Sequence, residues 1–197
     1  METQLLTGLA LFAFVSSITP GPNNLMLMAS GANYGLRRTL PHMLGVALGF
    51  VLMVVLVGLG LAGLFERFPL AHQVLRVISV IYLLYLAWRI ATAAAPDASD
   101  PQGRPFSFLQ AAAFQWVNPK AWAMALTAVT VYTASREPME LLVVAIVFGA
   151  INLPSVGCWA LLGQLMQRVL TDAARLRAFN LLMAALLVVS LYPVLLD

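Results

Sequence analysis

The chain has 197 residues, 61% apolar and only 10% charged, with a mean hydropathy of +0.89, a formal net charge of +3 and a pI near 9.4. Soluble domains carry roughly a quarter charged residues, so an ordinary soluble fold is excluded. A single cysteine, Cys158, excludes an intrachain disulfide and a multi-cysteine metal site. The arginines that raise the pI fall between apolar runs and bear on membrane topology, not on nucleic acid.

Apolar runs of about 20 residues recur, the length that crosses a hydrocarbon core of about 30 Å. Six spans are predicted, over 5–28, 43–64, 74–93, 106–132, 141–166 and 178–196. Glu2 precedes the first run, with no Lys or Arg before it and no small-residue cleavage site after it. That run therefore reads as a retained helix, not a signal peptide. A polar, proline-rich linker over 96–104 divides the chain into halves of about 1–95 and 105–197. With three spans each, the halves enter the membrane from opposite sides, the inverted repeat common in secondary transporters. The expected fold is an all-α polytopic membrane protein, six transmembrane helices arranged as two inverted three-helix repeats in one transporter domain.

Arg37, Arg38, Arg89, Arg104, Arg168, Arg175 and Arg177 fall on one side of this layout, and Arg67, Arg76 and Arg136 on the other. The richer side is expected to be cytoplasmic, which puts both termini outside.

The first span is interrupted by Thr19-Pro20-Gly21-Pro22-Asn23-Asn24 and the fourth by Asn118-Pro119-Lys120. Each proline removes a backbone donor and clashes with the preceding turn. Backbone freed at that depth is tolerated only where it is buried in protein or lines a wet cavity. Broken helices at matching places in two halves are the best sequence pointer to a transporter's substrate site. A half-helix that starts at a break offers free N–H groups to a carboxylate, and one that ends there offers carbonyls to an ammonium group. Asn23, Asn24 and Asn118 add neutral donors and acceptors, and Gln115 shares a face with Asn118. The candidate substrate site is thus Pro20, Gly21, Pro22, Asn23, Asn24, Gln115, Asn118, Pro119 and Lys120. The bland alternative is that the prolines only kink a packed helix.

Lys120 is the only lysine and falls near the middle of span four, where an ionisable residue is a functional hypothesis by default. It could meet a substrate carboxylate or change protonation; alternatively it caps freed carbonyls or snorkels. No Asp or Glu falls deep in any span, which argues against a cationic substrate and favours a neutral, zwitterionic one. Asn152-Leu153-Pro154-Ser155 is a third interruption, lining the pathway or kinking span five. Gly31/Gly35 and Gly45/Gly49 read as close helix packing, with Gly149 and Gly157 a looser echo of the second pair. His42 and His72 fall at span ends with no cluster to ligate a metal, and Cys158 is expected to pack between helices. No glycine-rich phosphate loop or nucleophile elbow is present, and neither a cofactor nor a metal is expected.

The stretches Pro20-Gly21-Pro22-Asn23-Asn24, Ala29-Ser30-Gly31, Gly35-Leu36-Arg37-Arg38, Tyr82 to Trp88 and Val117 to Trp122 resemble the LysE/RhtB family of bacterial amino-acid exporters. Phe114 to Asn118, Cys158 to Leu161 and Leu86 to Ala91 resemble its cysteine/O-acetylserine branch. The resemblance implies export of a small neutral amino acid across the bacterial inner membrane, driven by an ion gradient with the proton as the expected coupling ion. A homodimer is compatible with so short a chain. Two rivals stand beside this reading: a membrane-embedded enzyme acting on lipid-linked substrates, and a passive channel or partner subunit.

Overall fold

The computed structural model describes residues 3–61, 63, 67–93, 104–133 and 137–192. Glu66, Asp97, Asp100, Arg136, nearly all of the linker and the side chain of His72 lie outside the described residues.

The described residues are helical, with no strand among them. In chain order they form α1 (Thr3–Ile18), α2 (Pro22–Tyr34), α3 (Leu36–Leu56, continued by a π-turn over Val57–Leu61) and α4 (Pro69–Ala91). Then come α5 (Phe108–Phe114), a 3-10 turn (Gln115–Val117), α6 (Pro119–Tyr132), α7 (Pro138–Met166) and α8 (Ala173–Val189). Three stretches are long and apolar enough to cross a membrane alone: Leu36–Leu61, Gln73–Ala91 and Pro138–Met166. A fourth is available if α1 and α2, bent by 53° at their junction, are one broken span.

Element boundaries differ from the sequence reading where turn chemistry is compact. No loop separates the first two spans. The chain passes from α2 to α3 through Gly35 alone, whose φ of 77° is a conformation that glycine adopts without a Cβ penalty. Arg37 and Arg38 therefore belong to the first turn of α3. Pro154 does not interrupt its helix either; α7 runs through it for 29 residues.

α7 is the central post, with α1, α2 and α3 packed along it; α5 lies on α3, and α4 pairs with α8. The contacts are close because glycines remove side chains from them. A Cβ on Gly31 would strike the carbonyl of Ala160, and one on Gly163 the carbonyl of Met28, so α2 and α7 meet nearly backbone to backbone. Gly45 and Gly49 seat α5 in the same way: a Cβ on Gly49 would fall 2.6 Å from the Ala112 Cα. Gly149 and Gly157 face side chains of α3, namely Val51 and Met43, and so do not reproduce that arrangement. One core cluster centres on Phe148, with Phe12 and Phe50 edge-on at 5.9 and 5.3 Å. A second gathers Leu25, Met26, Leu83, Leu86 and Phe114. Large apolar side chains such as Leu11, Phe14, Leu52, Ile81, Trp88 and Ile146 face outward, the belt a lipid-facing surface needs. Cys158 is on the outside of the bundle too, not between helices as expected.

Candidate functional site

α1 stops at Ile18 because Pro20 and Pro22 supply no donors for its last turn. Gly21 is extended (φ −174°, ψ 177°), and Pro22 opens α2 with its ring already set for a helix. The carbonyls left at the end of α1 are all taken by side chains. Asn24 Nδ2 donates to the Ser17 and Thr19 carbonyls, both at 2.8 Å. Trp159 Nε1 donates to the Ile18 carbonyl at 3.0 Å. Lys120 Nζ donates to the Thr19 carbonyl at 2.7 Å, to Thr19 Oγ1 at 2.9 Å and to the Pro20 carbonyl at 3.4 Å. Its ammonium thus sits at the negative end of the α1 dipole. On the other side of the break, Leu25 N–H donates to the Gly21 carbonyl, while the N–H groups of Asn23 and Asn24 meet no protein acceptor among the described residues.

The second break is built differently. α5 ends at Phe114 and tightens into the 3-10 turn, and Asn118, in extended conformation, caps α6 by accepting the Lys120 N–H at 3.2 Å. Gln115 is fully buried; its Nε2 donates to the Ala111 carbonyl at 2.9 Å and to Asn23 Oδ1 at 3.2 Å. Asn23 Nδ2 returns a bond to Gln115 Oε1 at 2.8 Å. Two bridges, Thr19–Lys120 and Asn23–Gln115, therefore join segments about 100 positions apart.

Gly21, Asn23, Asn24, Asn118 and Lys120 line one cavity of about 20 Å³, with Ser17 and Asn152. Gln115 reaches it through Asn23, whereas Pro20, Pro22 and Pro119 shape the backbone around it without lining it. Gly21 is needed for a reason other than its backbone, since any residue adopts an extended φ. A Cβ there would fall 2.6 Å from Lys120 Cδ and 3.1 Å from Nζ, so glycine leaves the lysine its path to the Thr19 carbonyl. Asn152 comes from the uninterrupted α7 and donates to Ser17 Oγ at 3.1 Å; its Oδ1 is buried without a partner. Hence Asn152 lines the cavity even though Pro154 makes no break.

Trp159 escaped the sequence reading because a tryptophan in an apolar run carries no mark of a buried carbonyl partner. Asn33 and Asn180 were overlooked although polar amides in apolar runs are a usable signal; they pair reciprocally at 2.8 and 3.1 Å. His42 is not at a span end. It lies within α3, buried, its ring 5.3 Å from that of Phe106, and neither ring nitrogen has a partner among the described residues. No group of three or more His, Cys, Asp or Glu that could hold a metal occurs among the described residues.

The pattern of the LysE type translocator family matches residues 14–191, a stretch that includes both breaks. The chain belongs to the LysE type translocator family. This makes it a membrane transporter and sets aside the membrane-enzyme alternative. The translocator is 33% identical over 193 residues to the cysteine/O-acetylserine efflux protein of Klebsiella pneumoniae subsp. pneumoniae, covering 95% of each chain. It is 30% identical over 194 residues to the proteins of the same name from Escherichia coli K12 and Shigella sonnei, covering 95% of this chain and 96% of theirs. No solved structure matches it.

Proposed function

We propose that this translocator is a secondary exporter of small neutral amino acids or close derivatives, of the cysteine, O-acetylserine, homoserine and threonine class. One observation carries the reading. A lone ammonium from one broken helix occupies the carbonyl end of the other, with free N–H groups and no carboxylate on the cavity wall among the described residues. A zwitterion can replace that arrangement group for group. Its ammonium takes the Thr19 and Pro20 carbonyls, and its carboxylate takes Lys120 together with the Asn23 and Asn24 N–H groups. Charge stays balanced with no acidic residue, whereas a second cation would face Lys120 uncompensated.

The cavity of about 20 Å³ holds a water but no amino acid, so loading requires the two breaks to part. Alternating access supplies that motion, with halves of about 1–95 and 105–197 rocking about the site as inverted repeats of three spans. Helix pairing supports the repeat. α1 packs on α7 as α5 packs on α3, and α3 meets α7 and α4 meets α8, as exchange of the halves would generate; the close α2–α7 contact, with only a weak counterpart between α6 and α3, departs from it. In this reading the broken α5–α6 segment and the 17-residue α8 complete the six spans. The inner membrane, both termini outside, the proton as coupling ion and a possible homodimer belong to the same proposal.

Proteoliposomes preloaded with labelled cysteine, O-acetylserine, serine, threonine, homoserine, leucine and lysine test it. Counterflow of a neutral member, and none of lysine, is expected. Lysine as the preferred solute would overturn the charge argument, and no counterflow of any member would favour a passive channel or partner subunit.

A further inference from the structure

A larger, partly open cavity, about 70 Å³, is bounded by α2 from Met26 onward, the start of α3, the end of α4, Ala93 and residues 104–106. It has room for several waters. Two of its polar side chains are already satisfied: Asn33 by Asn180, and Ser30 by Thr39 at 2.9 Å. Four are not. Both ring nitrogens of His42 are buried without a partner, and the Tyr34 phenol and the guanidinium groups of Arg89 and Arg104 make no hydrogen bond or ion pair among the described residues. Among the described residues no Asp or Glu lines the cavity. A buried imidazole with neither nitrogen satisfied is costly to maintain, so its place on the wall beside two cationic groups points to a ligand.

We propose that this cavity is a second binding site, which receives the carboxylate of the solute on Arg89 and Arg104, with His42 and Tyr34 as neutral hydrogen-bonding partners. Leu86, Ile90 and Phe106 supply an apolar wall for a small side chain. Both cavities lie along α2, the smaller at its N-terminal break and the larger from Met26 to Tyr34. Asn23 lines one and Asn33 the other, roughly 15 Å apart along the helix, and Met26 brings the larger cavity to within one turn of Asn23. A solute held here therefore waits one step from the broken-helix site, on the arginine-rich end of the bundle. Assigning the carboxylate to an exported amino acid rests on the efflux reading above; the preference for an anion does not.

Thiol protection separates the two. Ile90→Cys, placed in a Cys158→Ser background because Cys158 is exposed, reports occupancy of the cavity by its rate of reaction with a neutral maleimide in the reconstituted full chain. The probes are L-serine and O-acetyl-L-serine, each against its carboxamide. The amino acids are expected to slow labelling about tenfold at roughly ten times their Kd, and the carboxamides are not. Arg89→Gln is expected to abolish the protection, Arg89→Lys to keep part of it, and Lys120→Ala to leave it intact. Absence of protection, equal protection by the carboxamides, or protection unchanged by Arg89→Gln would each overturn the second site. Efflux with no protection would refute this site and leave the exporter reading standing; protection with no efflux would do the reverse.

Discussion

The two breaks have the same proline signature and opposite construction. At 115–118 the chain satisfies itself: a 3-10 turn uses the local carbonyls, and Asn118 caps the helix that follows it. At 18–21 the chain satisfies only part of its backbone locally, through Asn24 and the Leu25 N–H, and the Ile18, Thr19 and Pro20 carbonyls draw on Trp159 and Lys120 from distant helices. In the proposed function the break at 19–21 is a receptor whose occupants exchange, and the break at 115–118 is a rigid mount that delivers one ammonium to it. The difference matters because only bonds made to groups that can move away leave room for a ligand.

Four substitutions would break or sharpen that contrast. Gly21→Val has the largest expected effect, a loss of efflux of at least about tenfold (about 1.4 kcal/mol in barrier), because its side chain takes the path of Lys120. Added to Lys120→Ala, the same change should lower Tm no further, and additive losses of Tm in a double-mutant cycle would refute the steric account. Asn24→Ala comes next. It leaves the Ser17 carbonyl without its side-chain donor and the Thr19 carbonyl with Lys120 alone, at a cost of about 1–3 kcal/mol, read as a lower Tm in detergent together with slower efflux. Asn118→Ala removes a single cap from the self-contained break, so about 0.5–2 kcal/mol of stability is lost with a smaller change in efflux. Pro154→Ala should be nearly silent, within about 0.5 kcal/mol, since the helix is already continuous there. A loss of transport in Pro154→Ala as large as that in Gly21→Val would show that a proline need not break a helix to serve the pathway.

Much of this was legible in the chain, for physical reasons that can be named. Proline and glycine act locally, so Pro20, Pro22 and Pro119 fix the ends of their helices whatever surrounds them. An ionisable or amide side chain in an apolar run must find a partner, which is why Lys120, Asn23, Asn24, Asn118 and Gln115 converge. What could not be read depends on pairing across the bundle. Trp159 against the Ile18 carbonyl and Asn152 on the cavity wall are set by how α7 rotates beside α1, and His42 is enclosed only because α3 begins at Leu36, seven residues before the predicted span. Pro154 shows the converse error, a local signal overruled by its neighbours.

The central claim, that Lys120 joins both breaks into one solute site, is tested most directly by counterflow of labelled O-acetyl-L-serine through the Lys120→Ala variant, matched to the parent for insertion and Tm. Loss of exchange, with the protein still folded in the bilayer, is the predicted result. Exchange at the parent's rate would contradict it, reducing the lysine to a cap on the Thr19 and Pro20 carbonyls and moving the site elsewhere in the bundle.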